Sequence, residues 1–109
     1  MDSLSDLDWN DAAQGFDALG ATARLQIIRL LVRHGGEPLT ISTIKKETGI
    51  AASTLAHHLN ALRLADLIVQ EKSGRETMTR ANLPALEALA QFILDQCCVD
   101  TAKVEGPTG

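Results

Sequence analysis

This chain of 109 residues is poor in aromatic side chains, with two phenylalanines, one tryptophan and no tyrosine. Any hydrophobic core must therefore rest on leucine, isoleucine, valine and alanine, and the apolar share of 45% is typical of a globular domain. The sequence also lacks an apolar run near the roughly 20 residues that a membrane-spanning helix needs, so we expect no membrane partner. Its N-terminal residues are acidic, whereas a secretory signal begins with basic residues. We therefore expect a cytoplasmic protein.

Cysteine is scarce as well, since the chain has only Cys97 and Cys98. Thiols stay reduced in the cytoplasm, so we do not expect these neighbours to form a structural disulfide. The length favours a single domain. We place it at residues 1–99 and interpret residues 100–109, which end in "EGPTG", as a disordered tail.

Basic residues are in the minority, and the formal net charge is −4. The charges are unevenly distributed, however. Residues 1–20 hold five aspartates and no basic residue, while residues 21–81 hold nine of the ten lysines and arginines. Such a mildly basic middle could face phosphate, although a solvated surface without any partner would give the same pattern.

The apolar spacing predicts a mainly α-helical chain with one β-hairpin. A first helix stops at Gly20, and a second begins at Thr22 as a cap, buries Leu25, Ile28 and Leu31, and ends at Gly35 and Gly36. A short extended piece and then a brief helix over about 42–48 follow, closed by Gly49. The next helix starts two or three residues later, and a hairpin turns at Ser73 and Gly74. A last helix follows Asn82.

Two helices joined by a tight turn and followed by a hairpin make a winged helix-turn-helix, in which the second helix of the pair enters the major groove. That helix contains the stretch "STLAHHLNAL". His58 shares its apolar stripe with Leu55, Leu59 and Leu62, so we expect it to be a satisfied core histidine. His57 falls on the opposite, polar side. Because adjacent helical side chains diverge by about 100°, we do not expect the two histidines to share a metal ion.

The segments "ALGATARLQIIRLL" and "STLAHHLNALRLADLI", together with the "GR" of the wing, resemble the ArsR/SmtB family of bacterial winged-helix repressors over about residues 10–98. The resemblance implies a homodimer through the first and last helices that binds an inverted repeat in double-stranded operator DNA and is released by an inducer. The apolar stripe of the last helix, Leu86, Leu89, Ala90, Ile93 and Cys97, offers a means of pairing. The chain departs from the family at Ala51 and Ala52, where members often carry a capping Ser and a Gln, and at Asp66, where they usually carry Gly.

Within this unit, side-chain chemistry suggests the DNA contacts. Polar residues on the outer side of the reading helix suit base edges or nearby phosphates. Basic residues around it suit phosphates, and Arg75 at the tip of the wing suits the minor groove. The predicted base-reading residues are Ser53, Thr54, His57 and Asn60, and the predicted phosphate or groove contacts are Lys45, Lys46, Arg63 and Arg75.

The inducer is less well specified. The helix before the reading helix has no thiol and the last helix has no histidine, which argues against the family's zinc, nickel and cobalt sites. Adjacent thiols at Cys97 and Cys98 could hold trivalent arsenic or another soft thiophilic ligand, or respond to an oxidant or reactive sulfur. Alternatively, Cys97 belongs only to the dimer core and the protein has no cysteine-based sensor.

Two other classes of function remain to be compared. The sequence has no phosphate loop, no nucleophile elbow and no partner for His34, so we do not expect an enzyme. The stronger alternative is a winged helix that binds another protein through its acidic surface. Steeply salt-dependent DNA binding distinguishes the two.

Overall fold

The computed structural model describes the backbone of residues 7–104 and the side chains of residues 7–95. In this part of the chain the predicted winged helix-turn-helix is present, with five helices and a two-stranded wing. The strands form an antiparallel sheet in the order β1-β3-β2, so the short strand before the helix-turn-helix pairs with the wing. The elements are α1 (Trp9–Ala18), α2 (Thr22–Arg33), β1 (Leu39–Thr40), α3 (Ile41–Thr48), α4 (Ala52–Leu64), β2 (Ile68–Ser73), β3 (Glu76–Ala81) and α5 (Leu83–Val104).

Local signals set both ends of α3. The Thr40 hydroxyl caps α3 by accepting a hydrogen bond from the Thr43 amide at 3.1 Å. Gly49 ends α3 in the left-handed region with φ +73°, where a residue without Cβ has no steric penalty. The predicted cap of α2 is wrong. Thr22 is the first helical residue, and Ala21 occupies the cap position with no side-chain hydrogen bond.

The core lies between α2, α3, α4 and the sheet. Ile27, Leu31, Ile44, Leu55 and Leu62 are fully buried there. Each such side chain contributes about 1.5–3 kcal/mol relative to an exposed one, so this cluster fixes how α3 and α4 are presented. Of the predicted buried residues of α2, Ile28 and Leu31 are buried. Leu25 is not, because its position turns it outward and leaves 53% of it exposed.

The first and last helices pack on each other at one side of this core. A Cβ on Gly15 of α1 would lie 2.8 Å from both terminal carbons of Leu89 on α5, so glycine permits this close approach. The rings of Trp9 and Phe92 meet edge to face at 5.0 Å. Leu89, which we placed on the apolar stripe proposed for pairing, is therefore buried within the monomer, with 4% of its surface exposed.

Helix α5 continues to Val104, into the segment 100–109 that we interpreted as a disordered tail. Its continuation has a simple cause, since the first glycine or proline after residue 84 is Gly106. Residues 105–109 lie outside the described residues, and the domain boundary at residue 99 stays a prediction. Within 7–104, no helix combines the length and the apolar character that a membrane crossing requires.

Candidate nucleic-acid interface

Helix α4 presents a polar side outward and an apolar side to the core. Leu55, Leu59 and Leu62 are buried, at most 3% exposed. This spacing leaves the opposite side of the helix in solvent. The four predicted base-reading residues, Ser53, Thr54, His57 and Asn60, are all exposed on it.

His58 turns away from that surface and bonds to the second helix. Its Nδ1 accepts a hydrogen bond from Arg24 Nε at 3.0 Å, and Arg24 Nη1 also donates to the Ala18 carbonyl at 3.4 Å. Burial, the Arg24 charge and then the His57 charge lower the pKa of His58 below its ordinary value of 6.5. The expected core histidine is thus satisfied but only half-buried, because its outer edge lies beside exposed His57 at a ring distance of 5.5 Å.

Asn60 and Arg63 form one unit on the outer side of α4. Arg63 Nη2 donates to Asn60 Oδ1 at 2.6 Å, across a spacing of three residues that brings helical side chains together. The bond occupies the amide's acceptor and leaves its NH₂ donors facing outward. Sequence reasoning treated the two residues separately, although their spacing was a signal that they could pair.

The wing tip comes close to the start of α3. Gly74, with φ +65°, makes the two-residue turn between β2 and β3 and exposes Arg75. Arg75 shares a cavity of about 240 Å³ with the start of α3. Sequence reasoning missed these α3 residues, because the β1–β3 pairing that brings them to the wing is not local. The cavity is lined by Thr40, Ile41, Ser42, Arg75, Glu76 and Thr77.

A second depression joins α3 to the start of α4. Helix α4 begins after Ala51, which supplies no side-chain hydrogen bond, so its first amide groups have no side-chain cap. Lys45 and Lys46, both exposed, line the same open depression of about 530 Å³. Ser42 lines both this depression and the cavity at the wing, so the two adjoin.

A third cavity, of about 250 Å³, separates α4 from the wing. Asn60 and Gln70 lie on its two sides, and it shares Ile41 and Thr77 with the cavity at the wing tip. The three depressions therefore form one continuous surface around α4. Among the described residues, this surface carries Lys45, Lys46 and Arg75 against one carboxylate, that of Glu76, so the border of the polar face has a net positive charge.

The predicted inducer residues, Cys97 and Cys98, have backbones within α5, and their side chains lie outside the described residues. The thiol site therefore stays a prediction. Among the residues whose side chains are described, no group of three histidine, cysteine or acidic side chains could hold a metal ion.

Comparison with known proteins yields matches at the level of sequence and of structure. Residues 19–71 match the model of a family described as a helix-turn-helix domain. The HTH-type transcriptional regulator MJ1325 of Methanocaldococcus jannaschii is 33% identical over 66 residues, 61% of this chain and 72% of that protein. An ArsR-like transcriptional regulator from Rhodococcus has a TM-score of 0.74 at 26% identity, over 87% of this chain and 86% of its own.

A third match concerns assembly. The homodimeric winged helix-turn-helix DNA-binding domain of a possible ArsR-family regulator from Mycobacterium bovis has a TM-score of 0.63 at 23% identity. The alignment covers 92% of this chain and 88% of that domain. At this identity the likeness concerns the fold alone.

Proposed function

Because this chain belongs to the ArsR-like family of winged helix-turn-helix transcriptional regulators, DNA-binding proteins rather than enzymes, we propose that it represses transcription as a homodimer on a twofold operator. The observation that carries the proposal is the exposed polar side of α4, bordered by Lys45, Lys46 and Arg75. A target in operator DNA would place this activity in the cytoplasm.

The outer side of α4 would read base edges. His57 and Asn60 stand one turn apart there, and Ser53 and Thr54 precede them by another turn. The Arg63–Asn60 bond leaves the Asn60 amide as a donor, which suits acceptor atoms such as guanine O6 or N7. Arg63 keeps further guanidinium donors for a neighbouring phosphate.

The basic residues around α4 would bind phosphates. Helix α4 lacks a side-chain cap, and the positive end of its dipole lies in the depression that holds Lys45 and Lys46. A DNA phosphate in this depression would meet both lysines and the free amides. Family members often carry a capping serine where this chain has Ala51. The operator phosphate would then supply the cap that Ala51 lacks. Arg75 at the wing tip would reach the minor groove or its backbone.

The exposed apolar residues of α1 and α5 support a homodimer through these helices. Trp9 is 69% exposed, and Ile93 and Leu94 are 48% and 49% exposed. Large apolar side chains concentrated on two packed helices are typical of an interface with another chain. A twofold dimer would set two α4 helices about 34–36 Å apart, the spacing of successive major grooves.

The last element of the proposed function is release by an inducer at Cys97 and Cys98. Two adjacent thiols near the end of α5 could take a soft ion such as trivalent arsenic, or react with an oxidant or reactive sulfur. Because α5 would form the dimer seam, such a ligand could favour a dimer whose α4 helices no longer match the groove spacing.

Fluorescence anisotropy with the DNA upstream of the gene tests the DNA-binding proposal. We expect the affinity to fall steeply between 50 and 200 mM salt, and Lys45→Ala or Arg75→Ala to reduce the slope of log K against log salt by about one each. Arg29→Ala is the matched control. Arg29 shares a groove with Glu47 on the side of α3 away from Lys45, so its loss should leave the slope unchanged. Undetectable or salt-independent binding would instead support a protein-interaction module.

The same assay tests the thiol hypothesis. The double variant Cys97→Ser/Cys98→Ser should bind the operator as tightly as the parent but no longer release it when phenylarsine oxide or peroxide is added. A double variant that releases normally would show that the thiols are not the sensor.

A further inference from the structure

A cavity of about 260 Å³ lies at the other end of α4, where that helix meets α1 and α5. It is bounded by α1 and the residue Leu7 before it, by the end of α4 and the turn to β2, and by the first turns of α5. Its lining residues are Leu7, Asp11, Gln14, Gly15, Leu64, Ala65, Asp66, Leu67, Ala85 and Leu89.

The wall formed by the α4–β2 turn is held in place by hydrogen bonds. Asp66 adopts the left-handed region with φ +62°, which aspartate tolerates better than most residues. Its backbone carbonyl accepts a hydrogen bond from the side-chain Nδ2 of Asn82 at 2.7 Å. The backbone N–H of Asn82 donates to the Leu67 carbonyl at 3.0 Å. The end of α4 is thus tied to the start of α5, and the cavity between them is formed without a ligand.

The chemistry of the lining is apolar with a negative edge. Leu67 and Leu89 are buried at its base, whereas Leu64, at the end of α4, is 68% exposed. The polar lining residues are Asp11, Gln14 and Asp66, and among the side chains of residues 7–95 no lysine, arginine or histidine lines the cavity. An apolar body would fill the base, and a cationic group would meet the two carboxylates at the edge.

We propose that this cavity, the α1–α4–α5 cavity, binds a small organic cation with an apolar body, such as an arylalkylammonium ion. At about 30 Å³ for each water-sized group, the volume accommodates about nine non-hydrogen atoms. The ligand would contact the end of the reading helix and both helices of the proposed dimer seam. A ligand in this position would act as an effector of DNA binding, a role that rests on the proposed DNA-binding function.

Three probes of matched size separate charge from shape: phenethylammonium, the neutral 2-phenylethanol and the anionic phenylacetate. Titrating each into ¹⁵N-labelled protein without DNA, we expect phenethylammonium to bind with a dissociation constant of about 1–10 mM, as its size allows. The amide shifts should be centred on Asp11, Gln14 and residues 64–67. We expect the protein to bind phenethylammonium at least about tenfold more tightly than phenylacetate, because each of the two exposed carboxylates contributes a modest attraction to the cation.

Matched variants locate the charge effect. Asp11→Asn and Asp66→Asn should each lower the affinity for phenethylammonium about threefold and leave 2-phenylethanol unaffected. Asparagine also tolerates the left-handed region, so the turn at residue 66 keeps its conformation. Asp17→Asn is the control, since Asp17 is an exposed residue of α1 that does not line the cavity. Equal affinity for cation and anion, or shifts elsewhere in the molecule, would overturn the site.

The effector role has its own readout. Saturating phenethylammonium should change operator affinity about fivefold or more, and at a concentration near the dissociation constant of the parent protein Asp66→Asn should reduce the change. Binding without any such change, in a protein that does bind its operator, would refute the effector role. Binding by a protein that does not recognise operator DNA would instead contradict the proposed function and leave the site intact. Sedimentation with and without phenethylammonium shows whether binding depends on the dimer. If the cation binds only when dimers dissociate, a second copy of the chain occupies the cavity and the proposal is wrong.

Discussion

The hydrogen bond between Arg24 and His58 should stabilise the fold only while the histidine is neutral. In the structure His58 Nδ1 accepts from Arg24 Nε at 3.0 Å, and a protonated imidazole has no acceptor. A hydrogen bond to a charged group contributes about 1.5–3 kcal/mol, and since both residues are only half-buried we take the lower part of this range. We expect a coupling free energy of about 1.5 kcal/mol between the two side chains.

A double-mutant cycle with Arg24→Ala and His58→Ala measures this coupling. Urea unfolding followed by circular dichroism at pH 8 gives the free energies of the four proteins, at one fixed protein concentration because a dimer's stability depends on it. His57→Ala is the control. His57 is exposed on the outer side of α4, so its loss should change the free energy of unfolding by less than about 0.5 kcal/mol. The same variant should nevertheless weaken operator binding.

The sign of the pH dependence follows from the lowered pKa of His58. The unfolded chain takes up this proton near pH 6.5, whereas the folded protein resists it. The stability that neutral His58 provides is therefore fully present above pH 6.5 and is lost as the pH falls through the folded-state pKa. In acid the coupling should vanish or change sign, because two cations then face each other. A coupling below about 0.3 kcal/mol at pH 8, or one that grows in acid, would refute the role that we assign to the pair.

Three further substitutions test the fold by urea unfolding. Gly15→Ala should destabilise it by up to about 2 kcal/mol, because crowding buried Leu89 costs about 1–3 kcal/mol and the gain in helix propensity is about 1 kcal/mol. A more stable variant would show that Leu89 moves aside at little cost. Thr40→Ala should cost about 0.5–2 kcal/mol through loss of the α3 cap, and an unchanged midpoint would contradict that role. Asp66→Ala should cost about 1 kcal/mol at the left-handed position, whereas Asp66→Asn should be nearly neutral.

The elements that could be predicted from the sequence are those with local causes. Gly49 ends α3 because of its own left-handed conformation, and Gly74 makes the wing turn for the same reason. The outward side of α4 follows from the spacing of its leucines. The polar residues on that side could thus be selected without coordinates, although their roles toward DNA stay predictions.

What the sequence did not reveal depends on contacts between distant segments. Arg24 and His58 are 34 residues apart, and nothing near either residue indicates the other. The pairing of Leu39 with Thr79, which brings the start of α3 to the wing, has the same character. The expected burial of Leu25 was wrong for a related reason. Helical spacing defines an apolar stripe, but it does not show which edge of the stripe the neighbouring elements cover.

These distant contacts determine the direction in which the polar side of α4 points. His57 and His58 are consecutive on α4, so fixing the rotation of the helix at one of them fixes the direction of the other. The core leucines set that rotation coarsely, and Arg24 adds a directional bond that also reaches the Ala18 carbonyl at the end of α1. If α1 belongs to the dimer seam, this bond links the seam to the helix that would read DNA. Operator affinity should then fall in His58→Ala even though His58 is turned away from the polar side of α4, and Arg24→Ala should cause a similar fall.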